Sequence, residues 1–477
     1  MTLALFIVPF LVALLAVAIP SNRWRPWLIP LAGVLHFGLT LNALLAGQDR
    51  FSSEWISLDP AGQLVLLLIS TLYLVTSFYL AGYLQYRQER DNRIFVSCLL
   101  CLLGTMTLVT WARHLGIMWV AIETTALCTG PLIFFNKTPQ SIEATWKYLL
   151  IGFVGIALAL LGTLFLAYSS LHAGLEATLT LDELLHHAPQ LSKPWLHSAF
   201  VLMLVGYGTK MGLAPMHTWK PDAYGAAPGA VGTLLAGGVT SCAFLCILRI
   251  YQVCSAAGEF AFISPMLIFM GLLSMVIAGV FMVGQQDYKR MLAYSSVEHM
   301  GILILGLGLG APALFGTLLH LFNNGLTKGV LFLSAGNIHR SFGSTHTSVV
   351  RGALRRLPVS AGLFLTGFLA ITGSPPFGPF ISEFSILNAG FASGHFVAGG
   401  LFLLFLLVIF IGMGATVLLV VQGQEPEDAP RTAYREGVLT LAPPLLLLLL
   451  VLVLGLHIPA PLKNLLLAAA NFLEVHP

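Results

Sequence analysis

Charged side chains are scarce in this sequence. Asp, Glu, Lys and Arg make up 9% of the 477 residues, whereas hydrophobic residues make up 57%. A soluble globular domain carries about 25% charged residues, most of them on its surface. A chain of this size with so few charges has too little polar surface for a soluble enzyme. The composition therefore indicates a polytopic membrane protein.

Catalytic and cofactor motifs are also absent. No GxSxG, HExxH or Walker A pattern supports hydrolysis or nucleotide binding. Of the six cysteines, Cys98 and Cys101 form a CxxC, but no second pair or nearby histidine completes a metal site. We therefore predict no catalytic residue, no metal and no cofactor in this chain, and we expect the cysteines to be packing residues.

Long apolar runs are what the sequence has instead. A transmembrane helix needs about 20 predominantly apolar residues. Such runs lie near residues 2–20, 27–47, 60–84, 94–111, 115–135, 147–170, 197–218, 227–254, 262–284, 292–310, 312–338, 357–390, 396–422 and 437–457. The predicted fold is all-α, a polytopic membrane protein of about fourteen transmembrane helices. An amphipathic tail at 459–473 is expected to lie along the membrane surface.

Basic residues in the loops predict the orientation. If the N-terminus is outside, the alternate loops on the cytoplasmic side carry 16 of the 23 Lys and Arg residues, Lys220 among them. The opposite loops and the tail carry 4. Cytoplasmic loops of membrane proteins are enriched in Lys and Arg. We therefore predict a bacterial inner-membrane protein whose loops at 85–93 and 340–356 face the cytoplasm.

Two of the predicted spans are interrupted. The seventh breaks at "GLAPMH" (212–217) and the twelfth at "TGSPPFGPF" (372–380), where proline and glycine cannot continue a helix. The breaks are five helices apart, so the two halves of the chain that contain them enter the membrane from opposite sides. An inverted repeat with one broken helix in each half is typical of transporters. The predicted units are residues 1–92 (helices 1 to 3), 93–254 (first half), 255–423 (second half) and 424–477 (last helix and tail).

Two charges of the first half are predicted to pair inside the membrane. Glu123, in "MWVAIETTAL", lies near the middle of the fifth span, and Lys210 precedes the first break. A charge at this depth needs a partner or a function. We expect the two side chains to lie within water-bridged distance and to exchange partners as protons move. The alternatives are a static ion pair, or a lysine that snorkels to the headgroups.

The eleventh span carries a polar stripe. In "HLFNNGLTKGVLF", His320, Asn324 and Lys328 follow at spacings of four residues, so they share one helical face. Such a stripe on an apolar helix can hold a file of waters, and histidine can titrate near neutral pH. We therefore predict a proton relay that faces the protein interior. The alternative is a structural core histidine.

Three further titratable residues are candidates for the path. Glu383 follows the second break, towards the outer side, and suits a terminal carboxylate. Glu298 and His299, in "YSSVEHMG", lie on the tenth span. They either form an input from the cytoplasm or line a water-filled crevice.

Several motifs resemble one family. "GTKMGLAPMHTWKPDAYGAAPG", "KRMLAYSSVEHMGI", "HLFNNGLTKGVLFLSAGNI" and "GSPPFGPFISEF" resemble the proton-conducting antiporter-like subunits of complex I, multisubunit Na⁺/H⁺ antiporters and group 4 NiFe hydrogenases. The similarity covers about residues 60 to 425 and is closest to the hydrogenase-4 or formate hydrogenlyase branch of the family. By this resemblance the charged residues of the family fall on Glu123, Lys210, His320, Lys328 and Glu383.

Two positions depart from the family pattern. The family often has a lysine in the eighth span, where this chain has Ser241, and a second histidine in the eleventh span, where it has Asn324. The resemblance then implies either that Lys328, His320 and water bridge the halves, or that conduction is impaired.

The expected function is proton movement across the membrane. Because the sequence shows no motif for a redox centre, we expect electron transfer to take place in partner subunits. The expected partners are other membrane subunits and a peripheral redox module. The rival functions are a subunit of a sodium/proton antiporter and a non-pumping scaffold for an electron-transfer or inorganic-carbon-hydrating partner.

Overall fold

The computed structural model describes residues 3–45, 53–427 and 429–474. Helices make up 80% of it, and the described residues form no strand. The first ten helices are α1 (Leu3–Ala18), α2 (Leu28–Leu45), α3 (Pro60–Gln85), α4 (Arg93–Trp111), α5 (Leu115–Ile133), α6 (Pro139–His172), α7 (Leu181–His186), α8 (Lys193–Met211), α9 (Trp219–Ala226) and α10 (Gly229–Thr233). The others are α11 (Thr240–Ala256), α12 (Phe260–Met282), α13 (Tyr288–Gly308), α14 (Ala311–Phe342), α15 (Ala353–Arg356), α16 (Pro358–Ile371), α17 (Gly378–Ala392), α18 (Phe396–Gln422), α19 (Val438–Leu456) and α20 (Ala460–Leu473).

Ten of the described helical segments are long and apolar enough to cross a membrane. They are α2 with the turn before it, α3, α4, α5, α6, α12, α13, α18, α19 and the continuous segment Gly229–Ala256. In this last segment a π-helical stretch, Leu234–Val239, joins α10 to α11. The predicted all-α membrane fold is therefore confirmed, whereas the number of about fourteen helices stays a prediction. The helices α8 and α14, which carry Lys210 and Lys328, are not among the ten.

The two helix interruptions lie close to where the sequence predicts them. The first separates α8 from α9 and begins at Gly212, whose φ of +77° is a left-handed conformation that glycine adopts without strain. The second separates α16 from α17. It is shorter than predicted, because residues 378–380 already form the first turn of α17. Proline is tolerated there, since the first turn of a helix needs no N–H donor.

The helices α6 and α8 pack closely through glycine. A Cβ on Gly206 would lie 2.6 Å from the backbone nitrogen of Ala159, and one on Gly155 would lie 2.6 Å from the Cβ of Thr209. Any larger residue at these positions forces the two helices apart. This contact fixes the end of α8, and with it Lys210, against α6.

Alternate loops contact one another at one end of the helices. Asn92 before α4 donates to the carbonyl of Asn22 after α1 at 2.9 Å. Asp222 on α9 pairs with Arg290 at the start of α13 at 2.9 Å. These segments belong to the loops that the sequence assigns to the cytoplasm. One residue of that set is assigned wrongly, because Lys220 is fully buried at the start of α9 instead of lying in a loop.

The remaining loops contact one another at the other end. The backbone N–H of Arg113 after α4 donates to the carbonyl of Trp55 before α3 at 2.8 Å. Lys193 at the start of α8 pairs with Glu259 after α11 at 2.5 Å. The amphipathic tail helix α20 joins this end, since the carbonyl of Phe472 accepts from Gln252 at 2.6 Å. The described loops therefore fall into two sets that alternate along the chain.

Candidate functional site

The charged residues of the first half meet at the first helix interruption. Glu123 lies in α5, and Lys210 is the penultimate residue of α8. The Lys210 Nζ and the Glu123 Oε2 are 3.4 Å apart, and the two side chains are 1% and 15% exposed. The predicted proximity of the two residues is confirmed. Their part in proton movement stays a prediction.

The helix α6 surrounds the lysine on its other side. The Lys210 Nζ lies 5.6 Å from the ring centroid of Tyr148, within the range of a cation–π contact. A Cβ on Gly152 would lie 3.1 Å from the same Nζ, so the glycine leaves room for the ammonium group. A side chain held in this way does not fit the alternative of a lysine that snorkels to the headgroups.

The backbone of the interruption is partly satisfied by side chains. The indole N–H of Trp219 donates to the carbonyl of Thr209 at 2.9 Å, and the hydroxyl of Ser274 accepts from the N–H of Ala214 at 3.0 Å. At Thr209, therefore, the carbonyl accepts from the indole as well as from the backbone N–H of Gly212 at 3.1 Å.

The Glu123–Lys210 pair retains unused hydrogen-bonding capacity. Neither Glu123 carboxylate oxygen nor the Lys210 Nζ makes a well-oriented hydrogen bond with another group of the described chain. Buried polar atoms are nearly always hydrogen-bonded to protein or ordered water. The arrangement is therefore an ion pair at contact distance, and whether it exchanges protons or is static stays a prediction.

The second half holds a pair of buried histidines. The His299 Nδ1 on α13 lies 3.0 Å from the His320 Nε2 on α14. The other ring nitrogen of His320, Nδ1, lies 3.0 Å from the Ser382 hydroxyl on α17, just after the second interruption. An imidazole with partners on both nitrogens can accept a proton on one side and release one on the other.

The polar stripe of α14 faces the protein interior, as predicted. The side chains of His320, Asn324 and Lys328 are all buried. The Lys328 Nζ donates to the Ser295 hydroxyl on α13 at 2.6 Å. The side-chain oxygen and nitrogen of Asn324 have no hydrogen-bond partner in the described chain.

Two carboxylates lie beside the histidines. Glu298 and Glu383 are 1% and 5% exposed, and Glu298 Oε2 is 3.8 Å from the Nε2 of His299. Glu383, His299 and His320 each have a ligand-type atom within 4.8 Å of the others. Glu298, His299 and Glu383 therefore lie in one buried cluster with His320 of α14, and their part in a proton relay stays a prediction.

This cluster is also the place in the described chain where a metal ion could be held. Two imidazoles and one carboxylate within 4.8 Å are a ligand set that divalent transition metals accept. The buried ammonium of Lys328 shares the stripe with His320, and its charge opposes a cation there. The same residues are the ones that the sequence predicts for a proton path, which needs no metal.

Two features of the site were not predicted. Lys220 lies inside the protein, and the consecutive serines Ser295 and Ser296 face the buried lysines. The available signal was the string "YSSVEH", because hydroxyls next to a buried carboxylate need polar partners. No pattern in the sequence indicated which way the Lys220 side chain turns.

The chain matches a known family over its central part. Residues 112–412 match the model of the family described as NADH:quinone oxidoreductase/Mrp antiporter, TM. The chain belongs to this family. The matched segment includes all seven residues that the sequence predicts for the proton path.

Individual proteins are similar to this chain in sequence or in fold. A hydrogenase-4 component F homolog from Methylacidiphilum infernorum is 34% identical over 429 residues, which cover 88% of this chain and 89% of the relative. A chain of respiratory complex I from Thermus thermophilus has a TM-score of 0.77 at 28% identity, covering 96% of this chain and 97% of that chain. A chain of the Mrp complex from Dietzia sp. has a TM-score of 0.87 at 20% identity, covering 99% of this chain and 98% of that chain.

Proposed function

We propose that the chain is the proton-translocating membrane subunit of a redox-driven complex of the hydrogenase-4 or formate hydrogenlyase type. Protons pass along buried glutamate, lysine and histidine side chains and the water between them. Electron transfer in partner subunits drives the movement. The partners are other membrane subunits and a peripheral redox module.

The observation that carries the proposal is the Glu123–Lys210 contact at the first helix interruption. The two groups are 3.4 Å apart, so they titrate as a coupled pair in which the proton state of one changes the proton affinity of the other. The second cluster around His320 supplies titratable groups on the other side of the interruption. The 34% identity to a hydrogenase-4 component F homolog supports the type of complex.

We also propose fourteen membrane crossings in a bacterial inner membrane, with the N-terminus outside and an inverted repeat. Ten crossings are the segments that are apolar enough to cross. The other four are α1, α8, α14 and the interrupted pair α16–α17. The alternation of loop contacts between the two ends supports a separation of five spans, an odd number, between the two interrupted spans. It does not depend on the charge count from which the orientation is predicted.

Labelling of single cysteines tests this topology. Gln88→Cys and Ser348→Cys place a thiol in the loops assigned to the cytoplasm, and Ala177→Cys and Ser393→Cys place one at the opposite end. All four positions are exposed. The native cysteines are buried or half-buried, which keeps background labelling low. A membrane-impermeant maleimide should label only the second pair in intact spheroplasts. Labelling of Gln88→Cys from outside would overturn the fourteen-helix topology.

A comparison of sodium and proton coupling tests the type of transport. The purified complex is placed in vesicles with a pH-sensitive dye, and turnover is started in sodium or choline medium. We expect pH changes of equal size in both media, because the buried groups of the site are proton carriers. A strict need for sodium would instead support the antiporter alternative, and no pH change in either medium would support a non-pumping scaffold.

A further inference from the structure

Lys220 is a buried lysine between the two halves of the site. It is the second residue of α9, directly after the first interruption, and it is 0% exposed. Its aliphatic stem lies against the end of α8, where a Cβ on Gly212 would be 2.3 Å from the Lys220 Cε and 2.9 Å from its Nζ. The glycine therefore serves two purposes, since it ends α8 and leaves the space that the lysine fills. Lys220 thus lies close to the helix end that carries Lys210.

The ammonium group of Lys220 points to α13 in the second half. Its Nζ donates to the Ser296 hydroxyl at 2.9 Å, while the Ser296 carbonyl is farther away, at 3.5 Å. The ring centroid of Tyr224 lies 5.8 Å from the same Nζ. No carboxylate neutralises Lys220 among the described ion pairs. A buried ammonium with neither a counter-ion nor a close backbone carbonyl is costly to keep, which argues for a function at this position.

The serine that binds Lys220 is next to the serine that binds Lys328. Ser295 accepts from the Lys328 Nζ at 2.6 Å, and Ser296 accepts from the Lys220 Nζ at 2.9 Å. Both serines are buried. A hydroxyl can donate and accept at once, so each serine can relay a proton, with water between them because consecutive residues of a helix do not face each other. Lys220 and Lys328 also interact electrostatically, and two like charges in a low-dielectric interior disfavour simultaneous protonation.

Ser241 occupies the position at which the family often has a lysine, and its hydroxyl is hydrogen-bonded within its own helix. Ser241, in α11, donates to the carbonyl of Gly237 in its own helix at 2.6 Å. It therefore offers no titratable group to either cluster. Lys220 donates to Ser296, beside the serine that binds Lys328, and its stem fills the space at Gly212, two residues after Lys210.

We propose that Lys220 carries protons between the Glu123–Lys210 pair and the cluster around Lys328, with Ser296 and Ser295 as the bridge. The inference rests on the proposed function. In each transfer Lys220 releases one proton towards the serines and regains one from the side of Lys210, so the number of protons is conserved. A proton on Lys220 repels one on Lys328, which couples the occupancy of the two halves.

The test measures proton uptake by the whole complex in proteoliposomes, with assembly checked by size-exclusion chromatography. Lys220→Met removes the charge, and Lys220→Arg keeps the charge and the donors but holds its proton. We expect both variants to assemble and to lose proton uptake at least about tenfold, because a guanidinium does not release its proton. Ser296→Ala should slow uptake to a smaller extent. The matched control is Lys289→Arg, a buried lysine that binds only the carbonyls of Gly225 and Ala227 and should keep normal uptake.

The outcomes separate this inference from the proposed function. Suppose that the unmodified complex takes up protons and Lys210→Ala does not. Normal uptake by Lys220→Arg would then show that the Lys220 charge only holds α9 in place. In that case the inference about Lys220 fails, while the proposed function stands. If neither Lys220 variant assembles while Lys289→Arg does, the residue is structural and the inference also fails. If the unmodified complex takes up no protons, both proposals fall together.

Discussion

Replacement of Lys210 by alanine is expected to abolish coupled proton translocation and to leave assembly largely intact. The Lys210 ammonium lies 3.4 Å from Glu123, and no other carboxylate is paired with it among the described residues. Without the lysine, the partly buried carboxylate of Glu123 has no counter-ion, which favours its neutral form. A neutral glutamic acid does not unfold the bundle, but it no longer exchanges protons with a partner. Glu123→Ala should have the same effect.

Lys210→Arg should restore transport poorly. The guanidinium keeps the positive charge and can pair with Glu123, so assembly should be normal. It does not release its proton at any pH of interest, and the step that needs a neutral lysine is lost. A residue that acted only as a fixed charge would be replaced well by arginine. The arginine variant therefore separates a proton carrier from an ion pair.

The measurement is proton uptake by the whole complex in proteoliposomes, with assembly followed in the same preparation. The control is Lys147→Ala. Lys147 is a half-exposed lysine of α6 that pairs with Glu143 and Asp222 near the membrane surface. Exposed ion pairs contribute about 0–1 kcal/mol, so this variant should transport and assemble normally. Normal uptake by an assembled Lys210→Ala variant would show that Lys210 has only a structural role, and the proposed mechanism would be wrong.

The fold was largely predictable because lipid imposes simple rules on sequence. An apolar run of about 20 residues has few structures available to it in a membrane, and proline and glycine mark where a helix stops. The two interruptions and the interior-facing stripe of α14 follow from these rules. What the rules do not fix is the exact start of a helix, which is why α17 begins at Gly378 within the predicted break.

The candidate site was predictable only in part. Glu123, Lys210 and Lys328 were recognisable because a charge within an apolar run has no ordinary explanation. Lys220 was missed because it follows a helix interruption, where a loop lysine and a buried lysine give the same sequence pattern. The contact between His299 and His320 joins two helices, and no spacing along one helix could indicate it.

Hydrogen bonding separates two kinds of buried charge in this protein. The Glu123 and Glu298 carboxylates have no hydrogen-bond partner in the described chain. Asp59, by contrast, accepts from Gly62 N–H at 2.6 Å and from two arginines. We interpret the first kind as proton-carrying and the second as structural. Each kind should then respond differently when it is replaced.

The structural network ties three helices together at the end that is assigned to the outside. Asp59 caps the N-terminus of α3, and its Oδ2 accepts from Arg113 at 2.9 Å and from Arg249 at 3.3 Å. Arg249, on α11, also donates to the carbonyl of Thr110 at 3.0 Å and to that of Ala112. Its guanidinium therefore caps the C-terminal end of α4, where positive charge is favourable.

Asp59→Asn is expected to destabilise the protein by about 3–5 kcal/mol, the usual cost of breaking a buried ion pair from one side. Asparagine can still cap α3, but it leaves the buried charges of Arg113 and Arg249 without a carboxylate between them. The expected results are a lower thermal midpoint in detergent and a lower yield of assembled complex. The complex that does assemble should transport protons at the normal rate, because no proton carrier has been removed.

Asp182→Asn is the matched control for this prediction. Asp182 pairs with the same Arg113 but is 61% exposed, so its removal should cost about 0–1 kcal/mol. If Asp59→Asn lowers the thermal midpoint no more than Asp182→Asn does, the buried network contributes little to stability. An assembled Asp59→Asn complex with normal stability and no proton uptake would place Asp59 in the path instead, and the distinction between bonded and unbonded charges would then fail.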